Sequence, residues 1–563
     1  MIENNIINYW LYSIAIIIIA FAPGFLVASR LHFLTLIEKF VISFGLGFFI
    51  IILLSPLTIW NPDIARVLFL ILVIISVFMI YKNRNEILSD RAVIFLLIVL
   101  LMNFASKFFL QFIWEYPVIG GDWFDHGFIV PYNFSIGDWT PERDRPPFFG
   151  LLIFVFHKLV GTSVYQYWLA QLVSTIANSI LFLPAYLIGR RVFSEQIARI
   201  SVLFILVTPY IVENSIYPWP KNLAAYFILL MIYFMFFSGV HSRRNLILAG
   251  FFGGLSFLIH NYATVYIATA LLIYIYQNCN RKINNYIINL KSNYIFYFIA
   301  VLILVVLPYL IWLYSYYGTI FVSNFKYYPF AVKGYLSALT DPPDVIFQSF
   351  HSASFQEIIW IRISNTLITL FPLTIPLNPY MYSHPSYVPT VYYNGSYAGM
   401  LSFGMYILVL LSLYRYITGR IQVNKVLVIF IVLPFLFHIF LFGWIEWGLH
   451  FMSFPTNPFL IMLGFNELYK FKNYKFIRNI VFLGGLAETI IYEKLQLDFY
   501  ENFSGRVELG KAFQEYISGF QIDRLISAHF LMTNRTDMYI NLLIMLLILL
   551  SALFMTRKYK IEI

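Results

Sequence analysis

The chain has 563 residues, of which 60% are hydrophobic, 20% are aromatic and only 11% are charged. A soluble protein of this length needs a larger charged surface, so the composition excludes a soluble fold and predicts an all-α polytopic membrane protein. The net charge of +10 is not concentrated in a basic block or stripe, which argues against nucleic-acid binding. Cys279 is the only cysteine, so a disulfide framework and a cysteine-rich metal site are excluded.

Apolar runs predict about fifteen membrane segments, several of them shorter than the roughly 20 residues that a full crossing needs. In chain order they lie at 9–29, 40–60, 65–81, 92–112, 164–188, 197–212, 222–240, 246–259, 263–277, 295–316, 398–416, 425–445, 451–468, 477–492 and 538–556. The pair 246–259 and 263–277 is either one broken helix or a tight helical hairpin around His260 and Asn261.

Most of the 37 Lys and Arg residues fall in short loops on one side of this arrangement. The positive-inside rule makes that side cytoplasmic, together with the C-terminus. The N-terminus and the long loops 113–163, 317–397 and 493–537 then lie outside a plasma membrane. The first apolar run lacks the basic leader and the cleavage site of a signal peptide, so we expect it to be retained as a membrane span. Chemistry in the outer loops would depend on a substrate delivered through or within the membrane.

The first long loop carries an acidic segment at residues 120–147, GGDWFDHGFIVPYNFSIGDWTPERDRPP. Asp122 and Asp125 are three residues apart and would share one side of a helical turn, next to His126. Such carboxylates act as a general base toward a hydroxyl, or they hold a divalent cation such as Mg, Mn or Zn. The alternative is a solvated loop whose acids cap helices. Neighbouring tryptophans favour a functional role, because they would desolvate the carboxylates.

Two shorter apolar runs border the long loops. Residues 148–160 are too few to span, and they predict an interfacial helix whose start is set by Arg145, Pro146 and Pro147. Residues 356–373, which include Arg362, predict a similar or a re-entrant helix. The sequence contains no GxxxxGKS/T, HExxH or GxSxG motif and no internal repeat, so no soluble catalytic domain is expected.

Five short motifs occur in order along the chain, and the first of them includes the second acid of the pair. They are Asp125-His126, Gly137-Asp138-Trp139, Arg145-Pro146-Pro147-Phe148, Val160-Gly161-Thr162-Ser163 and Gly189-Arg190-Arg191-Val192-Phe193. This order resembles the GT-C superfamily of membrane glycosyltransferases, especially the branch of protein O-mannosyltransferases and lipid A aminoarabinose transferases. The resemblance covers residues 115–260 well and the later part of the chain loosely.

The resemblance implies a GT-C-like helical bundle that takes a sugar from a dolichyl- or undecaprenyl-phosphate carrier. The acceptor would be a hydroxyl of a protein, lipid or glycan on the outer face, with inversion at the anomeric carbon. The catalytic carboxylate of the family carries over onto Asp125, with Asp122 as an additional neighbour. His126 stands where the family has its second acid. This departure leaves open whether Asp122 and Asp125 bind a metal ion and which group takes the proton.

Six further residues are predicted to bind the substrate: Arg145, Glu213, Lys221, His260, Arg362 and His450. Lys221 could hold a lipid phosphate as a point charge, or it could snorkel to the interface. Glu213 is either a second carboxylate of the site or a helix-end charge. The two arginines either clamp phosphate oxygens or face anionic headgroups. His260 and His450 resemble basic positions of the family, and for His260 a hydrogen-bonded structural role is favoured over a functional one.

The predicted organisation is an added three-span unit at 1–91, a catalytic core at 92–492, an outer amphipathic cap at 493–537 and a last span with a tail at 538–563. A transporter or flippase, or a polymerase of lipid-linked surface polysaccharide, is the alternative function. A transporter should place charges within its spans, whereas most acids here lie in outer loops. The Ile-, Asn- and Tyr-rich composition indicates a prokaryotic source.

Overall fold

The computed structural model describes fourteen stretches of the chain, and all regular elements within them are helices. The described residues are 2–111, 125–141, 145–216, 219–239, 242–279, 294–334, 337, 341–370, 403–419, 424–443, 450–468, 470–471, 473–503 and 535–558. The predicted all-α class is therefore confirmed for the part of the chain that the structure describes.

The helices before residue 240 include two π-helical turns, Asp125–Ile129 and Tyr233–Phe237. The α-helices are α1 (Ile2–Ser29), α2 (Leu36–Leu53), α3 (Ser55–Trp60), α4 (Pro62–Lys82), α5 (Arg84–Ser89), α6 (Arg91–Gln111), α7 (Val130–Ser135), α8 (Phe148–Val160), α9 (Tyr167–Asn178), α10 (Phe182–Val192), α11 (Glu195–Val207), α12 (Pro209–Ile216) and α13 (Lys221–Ile232).

The later helices include one 3₁₀ segment, Asn324–Phe330. The α-helices are α14 (Arg243–Ile259), α15 (Ala263–Cys279), α16 (Tyr294–Tyr317), α17 (Pro343–Ser352), α18 (Phe355–Leu370), α19 (Phe403–Ile417), α20 (Lys425–Leu441), α21 (His450–Leu468), α22 (Tyr474–Phe503) and α23 (Arg535–Lys558). The predicted pair around His260 forms two helices, α14 and α15, joined by a short turn. Helix α22 continues past residue 492 into the segment predicted to be the outer cap.

Each predicted span contains a helix, but the number of about fifteen spans is not confirmed. Among the described residues, seven helical segments are long and apolar enough to cross a membrane, or eight if the bent pair α11–α12 counts as one. The run at 40–60 is not one helix, because α2 ends at Leu53 and α3 begins at Ser55. Pro56 in the first turn of α3 lacks the N–H that would continue the hydrogen bonds of α2, and its ring clashes with the carbonyl four residues earlier, which explains the break.

The centre of the bundle is formed by α9 and α10, which together make one apolar segment from Trp168 to Val192 whose apolar window is entirely buried. All residues of α13 are also buried, and α13 packs against α9, α10, α14 and α21. Helices on the outside are much less covered, as in α16, where 17% of the apolar window is buried. The elements that carry the candidate site are therefore held by the most enclosed part of the fold.

Helix α2 of the predicted N-terminal unit is joined to the core by buried hydrogen bonds. The Tyr226 hydroxyl of α13 donates to the Val41 carbonyl and accepts from the Gly45 amide, at 2.6 and 3.2 Å. The Tyr233 hydroxyl donates to the Glu38 carboxylate at 2.7 Å. The boundary at residue 91 remains a prediction, and α2 packs against the core as an integral helix of the bundle.

The helices define two ends of the bundle. Helix α6 begins at Arg91 and ends at Gln111, a rise of about 30 Å for a helix of this length. Asp90 lies at one end with the last turn of α10 and the first turn of α14. Helix α16 begins at the Asp90 end, since its first turn contacts the first turn of α14. The opposite end holds the loop after α7, because the Trp312 indole near the end of α16 donates to the Trp139 carbonyl at 3.0 Å. The acidic segment is thus separated from Asp90 by the height of the bundle.

Candidate active site

The first described part of the acidic segment is the π-helical turn Asp125–Ile129. This turn and α7 pack against α8, and the turn also contacts α9. Asp122 lies outside the described residues, and Asp125 is described through its backbone alone. π-Helical turns occur frequently at functional sites, because the extra residue re-aims neighbouring side chains. The structure therefore places the backbone of the predicted catalytic residue against buried helices.

His126 is the second residue of this turn, and its side chain is buried, with 2% of its surface exposed. Its ring meets the edge of Phe149 in α8, with ring centroids 6.2 Å apart. Gly150 permits α7 to approach α8 closely, because a Cβ atom there would overlap the Val130 side chain. The residue found in place of the expected second acid is thus enclosed between the turn and α8.

The Gly137-Asp138-Trp139 motif forms a turn whose contacts are structural. Gly137 has a φ of +81°, a conformation that favours glycine. The exposed Asp138 carboxylate accepts a hydrogen bond from the Thr140 amide at 3.0 Å. Its hydrogen bonds with Thr140 lower the pKa of Asp138 below its usual value. Trp139 stacks on Phe134 with ring centroids 4.8 Å apart, so this motif shapes the loop.

Helix α8 begins at Phe148 directly after Pro147, as the Arg-Pro-Pro step predicts. Arg145 precedes it and is half-buried. Most residues of α8 are buried, and the helix packs against α2, α4, α7 and α9. The expected interfacial helix is therefore enclosed by protein over most of its surface, because its apolar residues occupy more than one face.

Lys221 is the first residue of α13 and is 1% exposed. Its ammonium group lies 3.1 Å from the ring centroid of Trp219, a cation–π geometry. The Tyr262 hydroxyl donates to the Lys221 carbonyl at 2.8 Å. Asn178 in α9 fixes the same segment, because it donates to the Trp219 carbonyl and accepts from the Leu223 amide, at 2.6 and 3.0 Å. Lys221 is thus a buried, oriented cation, not a lysine that snorkels to the interface.

Buried amides and hydroxyls lie on α13 and on the helices α9 and α12, and sequence reasoning missed them. They are Gln171, Ser174 and Asn178 in α9, Asn214 and Ser215 in α12, and Asn222 in α13. The amide oxygens of Asn214 and Asn222 have no hydrogen-bond partner within the described ranges. The signal in the sequence was the presence of amides in otherwise apolar runs, which is costly inside a membrane. Glu213 lies in α12, but its side chain is not described.

The π-turn of Asp125 and the segment of Lys221 are connected through α9. The turn contacts α9 on one side, and Asn178 of α9 bonds the start of α13 on the other. The structure thus links the two predicted site segments through one buried helix, and the missed polar residues lie on that helix and its neighbours.

His260 lies in the turn between α14 and α15. Its Nδ1 accepts a hydrogen bond from the Tyr262 amide at 3.2 Å, and its ring packs on Tyr262. Because Tyr262 also bonds the Lys221 carbonyl, His260 belongs to the network that positions Lys221. His450 is the first residue of α21, and its side chain is not described.

Arg362 in α18 binds the end of another helix. Its guanidinium donates to the carbonyls of Ile439 and Phe442 at the end of α20, and to the Pro329 carbonyl at 3.3 Å. Burial lowers the pKa of Arg362 below its usual value. This geometry gives Arg362 a capping role, because carbonyls at the end of α20 need donors. Substrate binding by Arg362 remains a prediction.

The described residues contain no group of three or more His, Cys, Asp or Glu side chains placed to hold a metal ion. Neither carboxylate of the predicted metal pair is part of that description, since Asp122 is outside it and the Asp125 side chain is not given. Metal binding at this pair therefore stays a prediction.

The long apolar helices define the class of this protein, which is an all-α polytopic membrane protein. Its candidate site contains a buried cation, Lys221, and lies toward one end of the bundle. Residues 144–312 match the model of a family described as dolichyl-phosphate-mannose-protein mannosyltransferase. The predicted resemblance to GT-C membrane glycosyltransferases is thereby confirmed for this segment. Asp122, Asp125 and His126 lie before the matched residues.

Three solved structures are similar to the chain at low identity. ArnT from Cupriavidus metallidurans bound to undecaprenyl phosphate is 14% identical, with 83% of this chain and 78% of that chain covered and a TM-score of 0.44. The apo state of the same ArnT is 15% identical, with 82% of this chain and 76% of that chain covered and a TM-score of 0.43. The apo oligosaccharyltransferase from Archaeoglobus fulgidus is 13% identical, with 79% of this chain and 57% of that chain covered and a TM-score of 0.42. No protein of curated function matches the sequence.

Proposed function

We propose that this protein is a membrane glycosyltransferase that moves a sugar from a polyprenyl-phosphate donor to a hydroxyl acceptor on the outer face. The observation that carries the proposal is the family match over residues 144–312. That segment includes α8 and α9, the helices that support the π-turn of Asp125. It also includes the buried Lys221. The sugar, the length of the carrier and the identity of the acceptor stay open.

Lys221 and Arg145 are proposed to hold the donor phosphate. A buried ammonium interacts strongly with a phosphate because little water screens the pair. The contact with Trp219 keeps the ammonium oriented before the donor arrives. Sugar hydroxyls would donate to the amide oxygens of Asn214 and Asn222, which lack partners among the described residues. This arrangement would bind a polar headgroup beneath a water-facing loop.

In the proposed reaction, Asp125 takes the proton of the acceptor hydroxyl while that oxygen forms a bond to the anomeric carbon. The bond between the anomeric carbon and the phosphate oxygen breaks, and polyprenyl phosphate leaves with the bonding electrons. Lys221 and Arg145 stabilise the charge on the departing phosphate. Attack opposite the leaving group inverts the anomeric centre. A divalent metal ion at Asp122 and Asp125 would supply further charge stabilisation, and His126 would then be the alternative proton acceptor.

The test compares two Asp→Asn variants of the same loop in proteoliposomes that contain the lipid-linked donor. Asp125→Asn should lower transfer by at least about a hundredfold, because general-base catalysis contributes roughly 10²–10⁴-fold. Asp138→Asn is the matched control, since an amide oxygen can still accept the bond from Thr140. Retention of most activity in Asp125→Asn, or equal losses in both variants, would contradict the proposed role of Asp125.

A flippase or transporter is the second candidate, because charged groups are buried inside the bundle. Lys107 of α6 and Glu493 of α22 are 1% and 5% exposed, and they interact electrostatically. The Lys107 ammonium also donates to the Leu206 carbonyl at 3.3 Å. Buried charges of this kind mark ion or substrate paths in transporters. Lipid movement across the bilayer that does not require Asp125, without sugar transfer, would favour this function.

A further inference from the structure

A cavity of about 1050 Å³ lies at the end of the bundle opposite the candidate active site. Its walls come from the start of α2, the residue before α6, the last turn of α10 and the first turn of α14. Four arginines line it: Arg190, Arg191, Arg243 and Arg244. In a chain that is only 11% charged, this is a marked concentration of one charge around one space.

The two carboxylates of the cavity are engaged by other groups. Glu38 accepts hydrogen bonds from the amide and hydroxyl of Thr35 and from the Tyr233 hydroxyl, each at 2.7 Å. Asp90 accepts from two backbone amides in the first turn of α6, at 2.8 and 3.2 Å. Both carboxylates therefore stabilise the ends of helices, and neither forms an ion pair with a lining arginine within the described ranges.

Three of the four guanidinium groups lack a carboxylate partner among the described residues. Arg190 pairs with Glu195 at 3.3 Å. Arg243 instead lies over Tyr297, 4.1 Å from the ring centroid, and Arg244 lies over Phe33 at 5.4 Å. These ring contacts hold the side chains in place without neutralising them. The cavity is consequently a site of net positive charge.

The helices around the cavity make an anion still more favourable. Arg243 and Arg244 occupy the first turn of α14, where the helix dipole is positive and basic residues are disfavoured. An anion bound between them and Arg191 would offset both the dipole and the clustered charge. A guanidinium also matches phosphate geometry, because it donates two parallel hydrogen bonds.

We propose that this cavity is a binding site for the phosphate group of an anionic ligand. Two sources carry that chemistry, a phospholipid headgroup and a soluble phosphate compound. Arg243 lies over Tyr297 of the sparsely covered helix α16, which favours a lipid headgroup that approaches from the side of the bundle. The site is separate from the candidate active site, so it does not depend on the proposed sugar transfer.

The experiment measures ligand retention by the full-length protein with native mass spectrometry. Protein in nanodiscs of phosphatidylcholine, with and without phosphatidylglycerol, is released and scored for bound lipid. Arg191→Gln/Arg243→Gln should retain at least about tenfold less phosphatidylglycerol, because each basic residue at an anionic surface contributes to binding. Lys82→Gln/Arg84→Gln is the control, since it removes two charges at the same end of the bundle but outside the cavity.

A second arm adds pyrophosphate to protein in phosphatidylcholine nanodiscs and measures the thermal unfolding midpoint. A rise in wild type that is absent from the cavity variant supports the site with a soluble ligand, whereas retained phosphatidylglycerol supports it with a lipid. Arg191→Lys/Arg243→Lys keeps the charge but loses the paired hydrogen bonds of the guanidinium, so it should lose part of the binding, and it takes the place of the glutamine variant if that variant aggregates. The proposal is overturned if neither ligand distinguishes wild type from the folded glutamine variant (or, where that variant aggregates, from the lysine variant), or if the control loses as much lipid as the cavity variant.

Discussion

Lys221 illustrates how a single residue acquires a role from its surroundings. From the sequence it could be either a phosphate ligand or a snorkelling lysine. Its burial and its contact with Trp219 exclude the second role, because a snorkelling lysine keeps its ammonium in water. A fixed cation of this kind is suited to a phosphate.

We therefore expect Lys221→Met to lower kcat/KM for the lipid donor by about tenfold to a hundredfold, the usual loss for one charge-assisted hydrogen bond. Lys221→Arg should recover part of that loss by keeping the charge. Lys158→Met, on α8, is the control for removing a lysine near the membrane. Steady-state kinetics with varied donor check this, and unchanged kinetics in Lys221→Met would exclude Lys221 from donor binding.

His157 of α8 gives a prediction about pH. Its Nδ1 lies 2.9 Å from the Thr162 hydroxyl, and its Nε2 has no partner within the described residues. Burial, and to a lesser degree Lys158, lowers the pKa of His157 from 6.5 to about 3. Between these values the unfolded chain binds a proton that the folded protein does not. Stability should therefore fall as the pH decreases from 6.5 toward about 3.

His157→Gln should reduce this loss, because glutamine does not titrate. Thermal unfolding in detergent at a series of pH values from neutral to acidic measures the slope. His351→Gln changes an exposed histidine and should leave the slope as in wild type. An identical slope in His157→Gln and wild type would show that His157 does not carry the effect.

At the scale of helices, α1 and α2 are in contact through their backbones. A Cβ atom at Gly47 would overlap the Ala20 carbonyl oxygen, and one at Gly24 would overlap the Ser43 carbonyl oxygen. Two helices approach this closely where small residues such as glycine, alanine and serine line the contact. Because α2 also bonds Tyr226 and Tyr233 of the core, a displaced α2 would disturb the segment that follows Lys221.

Gly47→Ala should destabilise the protein by about 1–3 kcal/mol, the usual cost of overpacking. Gly253→Ala is the control, because the nearest atom to its added Cβ is the flexible Met231 sulfur at 3.1 Å. Thermal unfolding of both variants tests the contact. Equal midpoints for Gly47→Ala and Gly253→Ala would mean that the two helices can move apart at little cost.

Helix positions could largely be predicted from apolar runs, while breaks and membrane crossings could not. The start of α8 at Phe148 was predictable, because two prolines fix it. The end of α2 at Leu53 was missed, since the apolar run continues through Pro56. Apolar runs also do not distinguish a spanning helix from a short buried one, as α8 and α13 demonstrate. Both distinctions depend on neighbours that are distant in the sequence.

At the scale of the whole molecule, the bundle keeps two polar regions apart. One contains the π-turn of Asp125, the polar residues of α9 and Lys221, and the other contains the cavity of four arginines. They are at least one helix apart, because the 12 residues of α13 separate Lys221 from Tyr233 of the cavity, which is about 18 Å of rise. If the arginine end is cytoplasmic, as the positive-inside rule predicts, the candidate active site faces the outside.

The candidate site could be predicted in part. The segment around Asp125 and the residue Lys221 were identified by charge in an apolar chain and by motif order. Asn178, Asn214 and Asn222 were missed, because a buried amide has no distinctive spacing until helices from different parts of the chain are packed. The capping role of Arg362 was missed for the same reason, since the carbonyls of Ile439 and Phe442 at the end of α20 are more than 70 positions away.

The most direct test of the central claim uses the purified, reconstituted protein and lipid-linked sugars extracted from membranes of the cells that produce it. We predict that sugar is transferred to an added acceptor fraction, that free polyprenyl phosphate appears in equal amount, and that the new linkage has the opposite anomeric configuration. Nucleotide sugars should not replace the lipid donor. Transfer from a nucleotide sugar, or release of a pyrophosphate-linked carrier, would contradict a transferase that uses a lipid-phosphate sugar.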